Sequence, residues 1–341
     1  MIEFIKLFLI VIILFNLLNF IFLKYNFLID GSFKSSHKSF ANKIKIPITG
    51  GILFIFSILF LMEGFNIRSN FIFFFIFILG LLSDLNKLNS PKIRLILQFF
   101  IVVAYIYLNN TYVNELRIDY IDSNFLKNLI FKIIFTSFCI LILINGSNFM
   151  DGVNTLCGGY FFILFCNIIF LYSNNEINID IYNVKIILII LFVFLLGNSF
   201  NKSFMGDNGS YLISFFTAIF LIDLSNENQI ISPYFIAVLL WYPAFENFFS
   251  LTRRLLFEKR KIKNADNLHL HHLLFVFIKK RLVDNKFTNT LTGLTINFFN
   301  ILIFLIANKY LYQTKMLILI LGLSIFVYIT VYFFLKRNIK L

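Results

Sequence analysis

The chain has 341 residues, of which 59% are hydrophobic and 14% charged, with a mean hydropathy of +0.85 and a formal charge of +13. That composition excludes an ordinary soluble domain and leaves a polytopic membrane protein. The positive charge lies in short loops between apolar runs, which excludes nucleic-acid binding and fits retention beside anionic headgroups.

In chain order, the apolar runs predict helical spans near 2–23, 46–62, 70–82, 93–108, 128–144, 156–172, 184–198, 210–222, 230–250, 288–306 and 316–335. Most approach the roughly 20 apolar residues needed to cross a bilayer as a helix, the default form because backbone polar groups find no water there, and the third is short. The expected fold is therefore an all-α bundle of about eleven transmembrane helices forming one integral domain over 1–341. The first span lacks a basic leader and a small-residue cleavage site, and reads as a retained anchor. The single stretch long enough for an extramembrane lobe is a basic loop at 251–287. Cys139, Cys157 and Cys166 show neither paired nor metal-type spacing.

Most of the 30 lysines and arginines fall in one alternating set of loops; the other set carries Arg68, Arg117, Lys127, Lys185, Lys309 and Lys315. The positive-inside rule then places the amino terminus outside and the carboxyl terminus inside, as an odd number of spans requires.

The polar residues of the basic side recur at span ends. In order they are His37, Pro47 with Gly50-Gly51, Ser83-Asp84, Asn145, Asn148, Asp151, Asn154, Asp207 and His269-Leu-His271-His272. Asp84, Asn148, Asp151 and Asp207 are hard oxygen donors that suit magnesium better than zinc and point to phosphoryl or glycosyl-phosphate transfer. Gly206-Asp207-Asn-Gly209-Ser210 opens a helix whose first amides are expected to face a phosphate. Asp151 or Asp207 alone reads equally as a helix cap, and His37 alone as an ordinary loop residue. Three histidines within four positions are harder to assign to a plain basic turn. Glu246 lies inside an apolar span, where a carboxylate is costly, and Arg253 or Arg254 is its expected partner, whether for a site or for structure.

These motifs resemble the polyprenyl-phosphate N-acetylhexosamine-1-phosphate transferases, which include the UDP-N-acetylglucosamine:undecaprenyl-phosphate enzymes. The matches run in order: His37 with Pro47-Ile-Thr-Gly50-Gly51; Gly80-Leu-Leu-Ser83-Asp84 with Arg94 and Gln98; Asn145 to Gly152; Phe204 to Ser210; and His269-Leu-His271-His272.

The resemblance implies a UDP-N-acetylhexosamine donor and an undecaprenyl phosphate acceptor, joined at the cytoplasmic face of a bacterial inner membrane with release of UMP. It implies Mg²⁺, with Mn²⁺ as a possible substitute, held by Asp207 and Asn148. By the same match Asp84 and Asp151 are catalytic-pocket residues, and His269, His271 and His272 touch phosphate or sugar. Phe204 would stack on uracil, while His37, Asn145, Asn148, Asn154 and Asn198 would contact substrate. Two positions depart from the family pattern: Ser83 replaces the first of two adjacent aspartates, and Asn154 replaces the second aspartate of an Asp-Gly-x-Asp-Gly run. The amino sugar, the glycan pathway (O-antigen, capsule or teichoic-acid-like) and the oligomeric state are not readable. A transporter or lipid flippase is the alternative, but its site would lie near the midplane at repeat-related positions, whereas these acids cluster at span ends.

Overall fold

The computed structural model describes residues 2–30, 45–255, 268–281 and 287–339; His37 lies outside them. The helices are α1 (Ile2–Tyr25), α2 (Gly50–Phe60), α3 (Ile67–Asp84), α4 (Pro91–Asn109), α5 (Asp119–Asn124), α6 (Leu129–Met150), α7 (Leu156–Ser173), α8 (Ile181–Ser199), α9 (Gly206–Glu227), α10 (Pro233–Leu239), α11 (Trp241–Arg253), α12 (Leu270–Arg281), α13 (Thr288–Asn308) and α14 (Thr314–Ile339). Strands β1 (Ile29–Asp30) and β2 (Ile46–Pro47) form a short antiparallel ribbon. The chain is an all-α, multi-pass membrane protein.

Among the described residues, nine helices are long and apolar enough to cross a membrane, and α10 with α11 forms a pair bent by 70°, the geometry of a broken span or a re-entrant loop. The segment expected to cross at 46–62 contains only the 11-residue α2, because its first residues go to β2 and to the turn before Gly50. The expected eleven spans thus resolve into nine full helices, one bent helix pair and one short helix.

The bend has a local cause. Pro243 has no N–H to donate to the carbonyl of Leu239, so the helix ladder opens there. Tyr160 donates its hydroxyl to that Leu239 carbonyl at 2.7 Å, satisfying a group that the bilayer interior would leave unpaired.

At the centre stands α9, with 83% of its apolar window buried against 11% for the peripheral α1. It packs on α2, α3 and α6. The loops opposite the motif-bearing end are tied down by side-chain caps: Asn66, Asn128 and Asp180 accept from the first amides of α3, α6 and α8. Arg117 closes that end, donating to the carbonyls of Gln229, Ile230 and Ile231 at 3.1, 2.8 and 3.2 Å and to that of Tyr312 at 3.4 Å. Arg117→Met should cost about 1–3 kcal/mol through the loss of these charge-assisted hydrogen bonds. The check is a thermal melt in micelles, with little expected change in turnover because the residue sits at the far end from the motifs.

Candidate active site

The site is built on the first turn of α9. A helix start carries unpaired amides and partial positive charge, and neighbouring helices supply carboxylates to it. Asp84, the last residue of α3, accepts from the Asp207 amide at 2.9 Å and from the Asn208 amide at 3.0 Å, and also from the Asn208 side chain. Asp151, which caps the end of α6, accepts from the Gly206 amide at 3.1 Å. The amides expected to face a phosphate are therefore taken by two protein carboxylates. Asp84 and Asp151 thereby fix the start of α9.

Close approach makes those bonds possible. Gly51 on α2 and Gly80 on α3 lie against the backbone of residues 207–209, where a side chain at either position would overlap main-chain atoms. Gly206 supplies the positive φ of 73° at the turn into the helix.

Asp207 itself faces outward, with 26% of its side chain exposed. Its Oδ1 accepts from the Asn148 amide at 2.6 Å, and its Oδ2 accepts from Ser83 and from Arg94 Nη1, the latter at 2.8 Å. Arg94 Nη1 also donates to Ser83 and, at 3.3 Å, to Tyr211. Pro91 starts α4 at its first helical position, so Arg94 projects from the first turn of that helix. Asn145, one turn before Asn148, donates to Gln98 at 3.0 Å. Three helices thus converge on one carboxylate of a fourth.

Among the described residues, no three His, Cys, Asp or Glu side chains gather as a metal cluster. The donor set nevertheless suits a magnesium-type ion, which takes one or two protein oxygens and fills its shell with water and phosphate. Asp207 supplies a partly exposed carboxylate, and a half-turn of the Asn148 amide presents its oxygen beside it. Arg94 is the cation that now balances Oδ2.

Several residues expected to contact substrate bond or pack within the protein. Asn154 donates to Asn201 at 2.7 Å. Asn198 accepts from the Thr155 amide at 2.6 Å and donates to the Ser203 carbonyl at 2.9 Å. Both asparagines are buried, and their amides staple the loops before α7 and α9. Phe204 is 8% exposed and packs with Phe22, Leu28, Ile46 and Ile48, while its backbone bonds Pro47 and Gly50. Stacking on uracil would require that small cluster to open.

The three histidines of the motif are 0–6% exposed. Their rings cluster beside the Asp151 turn, His269 nearly parallel to His271 and His272 tilted at 41° to it, and a methyl added to Gly152 would run into His271 and His272. Burial, then His272 and His269, hold the His271 imidazole well below the usual histidine range. In this arrangement the cluster packs against the Asp151–Gly152 turn. Glu246 is partnered by His269 and Tyr328, and no bond to the expected Arg253 or Arg254 accompanies them. Tyr328 and Asn208 carried no signal in the sequence, since their roles depend on partners 82 and 124 residues away.

No curated protein matches the chain. Residues 66–225 match the model of Glycosyl transferase family 4. This span includes Ser83-Asp84, Arg94, Asn145 to Gly152 and Phe204 to Ser210, and ends before the histidine motif. Members of the family join a sugar phosphate to a polyprenyl phosphate and generally depend on a divalent metal. This region, with the α9 site inside it, belongs to glycosyl transferase family 4, the polyprenyl-phosphate hexosamine-1-phosphate transferases.

Proposed function

We propose that the chain transfers an N-acetylhexosamine-1-phosphate from a UDP-sugar, with UDP-N-acetylglucosamine the first donor to try, to undecaprenyl phosphate. UMP leaves, and the lipid-linked sugar begins a cell-surface glycan. The observation that carries this reading is the convergence of Ser83, Arg94 and Asn148 on the partly exposed Asp207 at the start of α9.

The chemistry needs little base catalysis. A phosphate monoester has a second pKa near 6, so the acceptor is largely ionised at neutral pH. An acceptor oxygen forms a bond to the β-phosphorus, the bond between that phosphorus and the bridging oxygen breaks, and UMP carries the bridging oxygen away. When bound at Asp207 and Asn148, a divalent ion supplies charge neutralisation on the diphosphate. Arg94 adds a fixed positive charge at the same carboxylate, and Asp84 and Asp151 hold the turn that presents Asp207.

The acceptor's tail has a place in this scheme. A cavity of about 620 Å³ lies between α6, α9 and α10, lined by apolar side chains such as Leu143, Leu221, Ile236 and Leu240. Leu143 and Ala218 line its inner part, and Glu115, Asn226 and Gln229 line the end away from the motifs, so a chain seated there would lie deep in the bundle. Each buried CH₂ stabilises such a lipid by about 0.8 kcal/mol, which supports membrane retention of the acceptor while the nucleotide sugar stays in water.

The cytoplasmic placement rests on the lysine and arginine bias of the motif-bearing loops. A tag at the carboxyl terminus should resist labelling by impermeant reagents in intact cells; ready labelling would reverse the orientation.

The function is tested by incubating purified protein with undecaprenyl phosphate and a panel of labelled UDP-N-acetylhexosamines. Label should move from the aqueous to the organic phase with one of them, which names the sugar. Ser83→Asp should keep turnover within about threefold, since a carboxylate there pairs with Arg94 and leaves Asp207 to a divalent ion. A loss above about tenfold on the same assay would mean that the pocket is built around serine.

A further inference from the structure

Glu246 is 1% exposed on α11, and both of its oxygens are engaged. Oε1 lies 2.7 Å from His269 Nδ1, and Oε2 accepts from the Tyr328 hydroxyl of α14 at 2.6 Å. A buried carboxylate hydrogen-bonded between helices is a poor stabiliser compared with apolar packing, so its presence calls for another use. That use is visible in what His269 touches. Its ring is nearly parallel to that of His271, at 15° with centroids 5.5 Å apart, and packs on Phe149 of α6 at 5.2 Å. His271 lies 4.3 Å from His272, and both rings abut Gly152. Asp151 immediately precedes that glycine and is bonded to the amide of Gly206 beside Asp207.

We propose that Glu246 is a positioning residue: it fixes the His269 ring through Nδ1 and thereby braces the histidine cluster under the Asp151–Gly152 turn. A carboxylate accepting from Nδ1–H sets the tautomer and orientation of an imidazole, as the outer partners of metal-bound and catalytic histidines do. Tyr328 in turn holds the carboxylate, so α11, α12 and α14 are joined to the turn at the end of α6. The activity consequence rests on the transferase reading; the ring geometry does not.

The chain has four histidines, so [¹⁵N]histidine labelling of the full protein in micelles resolves each ring. The signal lost in His269→Ala identifies that ring, and in the native protein it should show the Nδ1–H pattern. Glu246→Ala should shift that pattern toward the other tautomer or an averaged one, and Tyr328→Phe, which keeps the ring packing, should move it less. In turnover, Glu246→Ala should lower kcat about 10–100-fold. The double variant with His269→Ala should be no worse than His269→Ala alone, because both act through one ring. An unchanged His269 spectrum in Glu246→Ala, or losses that multiply in the double variant, would overturn the proposal. If the native protein transfers no sugar phosphate, the transferase reading falls, while the ring spectrum still decides the role of Glu246.

Discussion

Asp207→Ala should abolish turnover, by about a thousandfold or more, with normal insertion into the membrane. Removal of one preorganised charge partner at a reacting group typically costs about 10²–10³ in rate, and here the same carboxylate also organises its neighbours. Ser83, Arg94 and Asn148 all donate to it. Without it the Arg94 guanidinium loses its ion-pair partner, and the proposed metal loses its one charged protein donor. Asp207→Asn separates these effects, because it keeps an acceptor oxygen and removes the charge. Both variants should be assayed across magnesium and manganese concentrations, with membrane content measured alongside. Activity of Asp207→Ala near the native level in magnesium would remove the metal from this carboxylate.

Gly80→Ala should be nearly as damaging, although Gly80 lies in the interior of α3 and bears no chemistry. A methyl there would overlap Asn208 Cα and N and the Asp207 carbonyl, which are main-chain atoms that cannot swing aside. Overpacking of this kind costs about 1–3 kcal/mol. The larger effect is geometric: forcing α3 away from α9 withdraws Asp84, one turn further along, from the amides of residues 207 and 208. A lower melting temperature together with a fall in kcat of at least about tenfold is expected. Gly322→Ala on α14 is the control, because nothing lies within 4 Å of the added carbon. Equal behaviour of the two variants would show that the contact between α3 and α9 does not set the site.

Much of this architecture is legible in the sequence because lipid imposes a simple rule on length and hydropathy. The long spans follow from it, and the clustering of Asp84, Asn148, Asp151 and Asp207 at one end follows from their positions at span termini. The rule fails where local covalent geometry intervenes. Nothing in the hydropathy of 46–62 shows that a strand pair takes its first residues, and the run at 230–250 hides a 70° bend until Pro243 and Tyr160 are considered together.

Within the site, residue type identified the chemistry but not the partners. Asp84 is spent on backbone amides, Asn154 and Asn198 on loop staples, and Phe204 on a small core. A short polar side chain beside a glycine looks the same in sequence whether it holds substrate or holds the loop that holds substrate. Glu246 shows the same limit. Arg253 and Arg254 are near in sequence, yet the carboxylate bonds residues 23 and 82 positions away, because α12 and α14 close over it.

The most direct test of the central claim is UMP release by the detergent-purified chain, supplied with magnesium, a UDP-N-acetylhexosamine and undecaprenyl phosphate. The account predicts release that requires both the lipid and the divalent ion and that vanishes in Asp207→Ala. Folded protein that releases no UMP with any donor in the panel, or that releases it equally without the lipid, would contradict it.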